Sequence, residues 1–420
     1  MIVTRPSFRW ITTGIWLMPI SFAATAVSLM GAFWRELLLR WESREIGFAL
    51  RTPVGWFWAV ILGLSAVSTA ASIHPLQSLF GWLGGLGYFI TFTVATWTVN
   101  TPGRLKQLHK ALFGLATAMA VFGLVVYAFN WHFSWHLTPD VAVRIGTPDR
   151  RINSVMFHPN LFAGFLVLAL GAGLGLFHQI ADWPRKAAYG TALGLVSLCL
   201  LLTASRAGWI GGAFLLVAYG VIVDRRWLLA LLGGAVAAVT GFSHMIDGRL
   251  ASLAVDSPGF DKYRLYAWAS TLHMIHDRPL LGWGPGMWSY VYQTYRLPAE
   301  TRHLPHAHDY YLQIAAEFGV PVMIALVLLV GWVCVTGWRA TRRTQYHLPV
   351  VATTLAVAGY ALVNLFDYTL AEGRNAMAFF LLVGGVEAAR RMAIADRPPE
   401  LRAVIPITPV PEVLPDDPRP

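Results

Sequence analysis

The sequence is short of charge, of cysteine and of acid. Only 13% of its 420 residues are Asp, Glu, Lys or Arg, and 56% are hydrophobic. A soluble domain carries roughly 25% charged residues, so an ordinary soluble fold is excluded, in keeping with a mean hydropathy of +0.54. The two cysteines, Cys199 and Cys334, both sit inside apolar runs. They read as small core residues and exclude a disulfide framework or a thiolate metal site. Acidic residues number 22 against 32 basic, a net charge of +10. That excess does not indicate nucleic acid, because the Arg and Lys lie in short connections between apolar runs, as the positive-inside effect places them. No Gly-Lys-Ser/Thr follows the glycine-rich turn at 282–286, which excludes a P-loop. No repeat of fixed period is present and charges within the apolar runs are few. Both absences argue against a transporter of lipid-linked glycans.

What is present is a succession of apolar runs of about 20 residues, the length of a membrane-spanning helix. Lipid cannot satisfy backbone groups, so helices are the expected spans. The alternation of a barrel is missing. The fold class is therefore an all-α polytopic membrane protein. No cleavable signal peptide is apparent, since the first apolar run, 10–39, is too long. Pro19 interrupts that run and predicts a hairpin near 19–21. Further spans are expected at 54–73, 79–99, 111–131, 161–177, 188–203, 209–223, 227–242, 320–338, 349–366 and 376–386. The total is about twelve, with eleven as the alternative if 10–39 is one helix. Gly81, Gly84, Gly85 and Gly87 form a small-residue face suited to close helix contact. The basic turns place 74–76, 132–159, 203–207, 244–310 and 367–375 on one side, outside. Residues 1–242 are thus N-terminal membrane helices, 243–310 an external, partly helical loop region, and 311–390 C-terminal membrane helices. Residues 391–420 are a Pro-rich cytoplasmic tail expected to be disordered.

Polar residues concentrate on that outer side. Arg206 lies in Ser205-Arg206-Ala207-Gly208-Trp209, between two apolar runs. It is either an arginine snorkelling to the interface or, in so tight a polar turn, a substrate ligand. Lys262 and Arg264 open a helical stretch, 263–276, that ends at Asp277-Arg278-Pro279. They are either a solvated face or an anion site, for which arginine's planar fork is suited. His303, His306 and His308 precede the next apolar run. Their spacing matches no standard zinc set. His308 stands out because Asp309, a favoured N-cap residue, follows it, and an imidazole titrating near neutrality can take a proton from a hydroxyl.

In this order, S-R-A-G-W after a span, Y-R-L-Y-A-W-A-S-T-L in the external loop, R-P-L-L-G-W-G-P-G, and H-D-Y-Y-L-Q-I-A-A-E-F-G-V-P-V, the residues resemble the bacterial O-antigen ligase and polymerase superfamily. The likeness spans about 160–335. The ligase pattern is His followed by Asn, Ser or Gln, nine residues, Gly, two residues, and Gly, Thr or Tyr. Among the three histidines only His308 places a glycine, Gly319, at that spacing, with Asp309 and Val322 departing from the pattern. The departures bear on ligase against polymerase more than on the superfamily.

The resemblance implies a GT-C-type glycosyltransferase in the bacterial inner membrane, its active site facing the periplasm, using neither nucleotide nor metal and no other cofactor. A ligase moves a glycan from undecaprenyl pyrophosphate to a sugar hydroxyl of lipid A–core. Polymerases and protein O-oligosaccharyltransferases differ in acceptor. By position, Arg206 and Arg264 would hold the pyrophosphate and His308 would be the general base. Arg144, Arg150, Arg151, Lys262, Arg278 and Asp309 are further candidate contacts. The expected partners are both lipid-linked substrates and membrane lipid, with no nucleic acid. Such chemistry needs fixed positive charge on a leaving group that is already good, and a base worth about 10²–10⁴-fold at a weakly acidic hydroxyl. Attack from the opposite face inverts the anomeric centre.

Overall fold

A computed structural model describes residues 6–42, 52–138, 141–147, 151–241, 262–300 and 303–397. Helices α1 (Pro6–Leu17) and α2 (Phe22–Glu42) form a hairpin. It turns at 18–21, where Pro19 breaks the apolar run. The next four helices each begin on a proline: α3 (Pro53–Ala70), α4 (Pro75–Thr98), α5 (Pro102–Ala128) and α6 (Pro159–Phe177). In each the proline takes the first turn, where a missing N–H costs nothing. Next come α7 (Trp183–Leu202), α8 (Arg206–Ile222) and α9 (Arg226–Gly241). Three shorter helices follow, α10 (Lys262–Asp277), α11 (Trp288–Tyr295) and α12 (Tyr310–Phe318). The chain closes with α13 (Val320–Thr341), α14 (His347–Asn364), a 3₁₀ turn at Thr369–Ala371, and α15 (Gly373–Ala395).

Among the described residues eight helices, α2 to α7, α13 and α14, are long and apolar enough to cross a membrane, so the chain is a polytopic membrane protein. The other stretches counted as spans in the sequence stop short by these measures. Helices α1, α8 and α9 are 12, 17 and 16 residues long, and α15 carries Arg374, Glu387, Arg390 and Arg391. The described residues are mostly helical, as expected of an all-α chain, with the addition of a short antiparallel hairpin, β1 (Phe133–Thr138) with β2 (Val141–Ile145), pairing Phe133 with Ile145 and Ser134 with Arg144. Its β-branched and aromatic residues favour a pleated strand. The C-terminal tail, beyond 397, lies outside the described residues.

Helix α6 is the axis of the bundle, packed by α5, α7, α8, α14 and α15. Small residues let the neighbours approach. A Cβ on Gly211 of α8 would meet the Gly359 carbonyl of α14 at 2.6 Å, and the reverse holds equally. The glycine face expected on α4 is different. Gly84, Gly85 and Gly87 have nothing within 4 Å, and only Gly81 meets a neighbour, Pro285 of the external loop. Helices α10, α11 and α12 make a separate cap with its own small core. Trp288 and Tyr292, both 0% exposed, stack there with ring centroids 4.4 Å apart, against Ala267, Met274 and Ala307.

Candidate active site

The cap and the bundle enclose a cavity of about 720 Å³. Arg206, Arg264, His306, His308, Arg151 and Asp367 all line it. These residues come from stretches up to about 200 positions apart in the chain, and all but Arg206 and Arg264 sit in connections rather than helices. The connections are among those expected, from the basic turns, to share one side of the membrane.

Arg206 is the first residue of α8. Ser205 caps that helix by accepting the Gly208 N–H at 3.3 Å, and Ala204 before it has a left-handed φ of 49°. An alanine there is strained, which holds the turn sharp. A cation at the positive end of a helix dipole is electrostatically misplaced. The same two features together favour a bound anion, and this tells against a snorkelling interface arginine. Arg264 lies in the first turn of α10. Its Nη1 donates to the Phe366 carbonyl at 2.5 Å, tying the cap to the end of α14.

Arg151 braces the floor. Its Nε donates to the Thr203 carbonyl at 2.8 Å and its Nη2 to Asn160 Oδ1 at 2.7 Å. Asn160 in turn donates to Asp367, whose other oxygen accepts the Tyr368 N–H at 2.9 Å. Three arginines and one carboxylate thus face the cavity, giving it a net positive lining.

His308 has a left-handed φ of 54°, a conformation histidine tolerates better than most residues. Its backbone N–H donates to His306 Nδ1 at 3.2 Å. Its ring meets His306 edge to face at 4.1 Å and Tyr263 at 5.3 Å, while His306 lies 5.0 Å from the Tyr368 ring. His308 Nδ1 is buried and has no hydrogen-bond partner among the described residues. Burial first, then the neighbouring imidazole and Arg264, holds the His308 pKa well below 6.5, against the opposing pull of Asp367. Burial lowers His306 in the same way. Both rings are therefore uncharged at neutral pH, and a buried neutral imidazole with an open nitrogen can accept a proton.

The family spacing between His308 and Gly319 acquires a physical meaning. Asp309 caps α12 by accepting the Leu312 N–H at 2.9 Å, so α12 starts directly after His308. Gly319 ends it at φ 90° and ψ 155°, a region open essentially to glycine alone. A Cβ there would strike the Leu280 carbonyl at 2.1 Å. The glycine turn 282–286 wraps the same helix end, with Trp283 and Gly284 N–H groups on the Ala316 and Glu317 carbonyls, each at 2.9 Å.

Other candidates stand apart. Lys262 is exposed and Asp309, whose carboxyl burial pushes up, faces its own helix. Arg278 stacks on Trp283 at 4.2 Å, and none of the three lines the cavity. Arg150 and the side chain of Arg144 lie outside the described residues. Asp367, Tyr368, His158 and Asn160 line the cavity without having been singled out in the sequence. The signal for Asp367 was a lone acid just past an apolar run.

No curated protein matches the chain. Residues 191–327 match the family model for O-antigen ligase. The matched segment holds Arg206, Arg264, His308 and Gly319, though not Arg151 or Asp367, and over it the chain is similar to the O-antigen ligase family.

Proposed function

We propose that the protein transfers a glycan from undecaprenyl pyrophosphate to a sugar hydroxyl of lipid A–core, on the periplasmic face of the bacterial inner membrane. The observation that carries this reading is the meeting of Arg206, Arg264 and His308, from three separate stretches, on one positively lined cavity. Arg206, Arg264 and the N-terminus of α8 hold the pyrophosphate. His308 takes the proton of the acceptor hydroxyl. The hydroxyl oxygen attacks the anomeric carbon, and the bond from that carbon to the phosphate oxygen breaks. The electron pair leaves with the pyrophosphate, whose growing charge the arginines stabilise. The configuration inverts. An anion in the cavity also raises the basicity of a neutral imidazole beside it, so donor binding prepares His308 for its task.

The test is reconstitution with undecaprenyl-pyrophosphate glycan and lipid A–core. Transfer that is lost in Arg206→Ala, Arg264→Ala and His308→Ala but kept in His303→Ala supports the reading. Elongation of the lipid-linked glycan without lipid A–core overturns it in favour of a polymerase.

A further inference from the structure

Among the buried carboxylates of the cap that the reaction above does not use is Glu317. Glu317, 4% exposed, sits near the end of α12, about two and a half turns from His308. The Trp288 N–H donates to its Oε1 at 3.2 Å, and the Gly286 N–H also bonds the carboxylate. The Gln313 amide donates to Oε1 at 2.8 Å. That third bond fixes which way Gln313 faces. With its nitrogen on Glu317, its oxygen is left to accept the Ala307 N–H, at 2.8 Å. Ala307 is the residue between His306 and His308, and it is wholly buried. Gln313 itself is 2% exposed. A continuous line of hydrogen bonds therefore runs from the start of α11, through Glu317 and Gln313, to the backbone that carries both cavity histidines.

We propose that Glu317 and Gln313 are positioning residues that set the backbone of the His306–His308 turn, and so couple the seating of the cap to the placement of the base. The inference rests on His308 being that base. A carboxylate accepts from every donor around it, and an amide has one face of each kind, so the line has a single polarity. Removing the shared acceptor or reversing the amide breaks the line. Trp288 and Gln313 both donate to the one oxygen Oε1, so an amide oxygen in its place keeps both bonds in Glu317→Gln, whereas Glu317→Leu leaves both donors unmet. In Gln313→Glu two carboxylates face one another. A side chain that merely fills space would be served as well by leucine as by glutamine.

The experiment measures kcat, donor KM and melting temperature for Glu317→Leu, Gln313→Glu and the conservative Glu317→Gln, all in the full-length protein. Glu317→Leu and Gln313→Glu are each expected to lower kcat by about 10- to 100-fold with donor KM nearly unchanged, the scale of a small misplacement of a reacting group. Glu317→Gln, which keeps the shared acceptor, is expected to hold kcat within about threefold of the parent. A second readout needs no turnover: labelling of His308 by diethyl pyrocarbonate, mapped by mass spectrometry. It is expected to quicken in the first two variants and to stay at the parent rate in Glu317→Gln. Losses confined to donor KM overturn the proposal, as does a Glu317→Gln variant that keeps the melting temperature but loses kcat as Glu317→Leu does. A parent protein that transfers no glycan sinks the functional reading alone, and the labelling pattern then decides the coupling by itself.

Discussion

His306 Nδ1 accepts the backbone N–H of His308, at 3.2 Å, across a turn in which His308 is left-handed. The first histidine is thus an acceptor toward the second, and its other nitrogen is left to carry the ring proton. His306→Asn keeps an acceptor at the same reach, because asparagine bonds the backbone two residues on in the same manner. His306→Ala does not. The alanine variant is expected to lose about 10- to 100-fold in kcat, and the asparagine variant to regain most of it. Equal losses would mean that the ring, not its hydrogen bond, matters.

The arginine pair makes a prediction about binding. A charge-assisted hydrogen bond contributes about 1.5–3 kcal/mol, so Arg206→Ala or Arg264→Ala should weaken donor binding by at least about tenfold. Lysine at either position should recover only part, because it lacks the planar fork. Titration with a fluorescent polyprenyl pyrophosphate measures this directly. Arg264 also bonds the Phe366 carbonyl, so its alanine variant is expected to lower the melting temperature more than the Arg206 variant does.

Acid should act on stability in a stated direction. Burial depresses both imidazoles below 6.5 in the folded protein. Below pH 6.5 the unfolded chain therefore binds protons that the folded chain refuses, and stability falls as pH falls. Above about 6.5 neither state gains protons at these sites and their contribution is flat. The melting temperature should decline from pH 6.5 toward pH 4, and the decline should shrink in a His306→Asn/His308→Asn double variant. Activity carries its own signature. The acid limb of kcat/KM, which reports the free enzyme, should lie at lower pH than the limb of kcat, which reports the donor complex.

Gly319→Ala is expected to destabilise the cap. The backbone conformation alone costs about 1–3 kcal/mol, and the clash with the Leu280 carbonyl adds to it. Limited proteolysis should then cut the cap at 262–318 before the membrane helices.

Much of this was legible because it is local. Apolar runs, proline stops and basic turns are short-range signals, and they located the helices and the hairpin at 18–21. The motif spacing singled out His308, and Arg206 and Arg264 declared themselves as cations at helix starts. Asp367 and Asn160 carried no such sign, because their roles exist only once α6 and α14 lie side by side. The glycines at 84, 85 and 87 show the converse. A small-residue stripe records what a helix permits, and in α4 no neighbour takes it up. The hairpin at 133–145 was hidden by its setting in a loop between long helices. Lys262 lies two residues before Arg264, a turn of about 200° around a helix, and the cavity lining includes Arg264 and not Lys262.

The arginine-lined cavity has a consequence for turnover. On the proposed reaction, the group that departs is also the group the arginines grip, and loss of the glycan gives that pyrophosphate one more ionisable oxygen. The spent lipid carrier should therefore bind more tightly than the loaded one, so that product escape sets the pace. Steady-state transfer would then slow as the carrier accumulates and recover when a pyrophosphatase removes it, tying the protein's output to whatever clears the membrane of its own by-product.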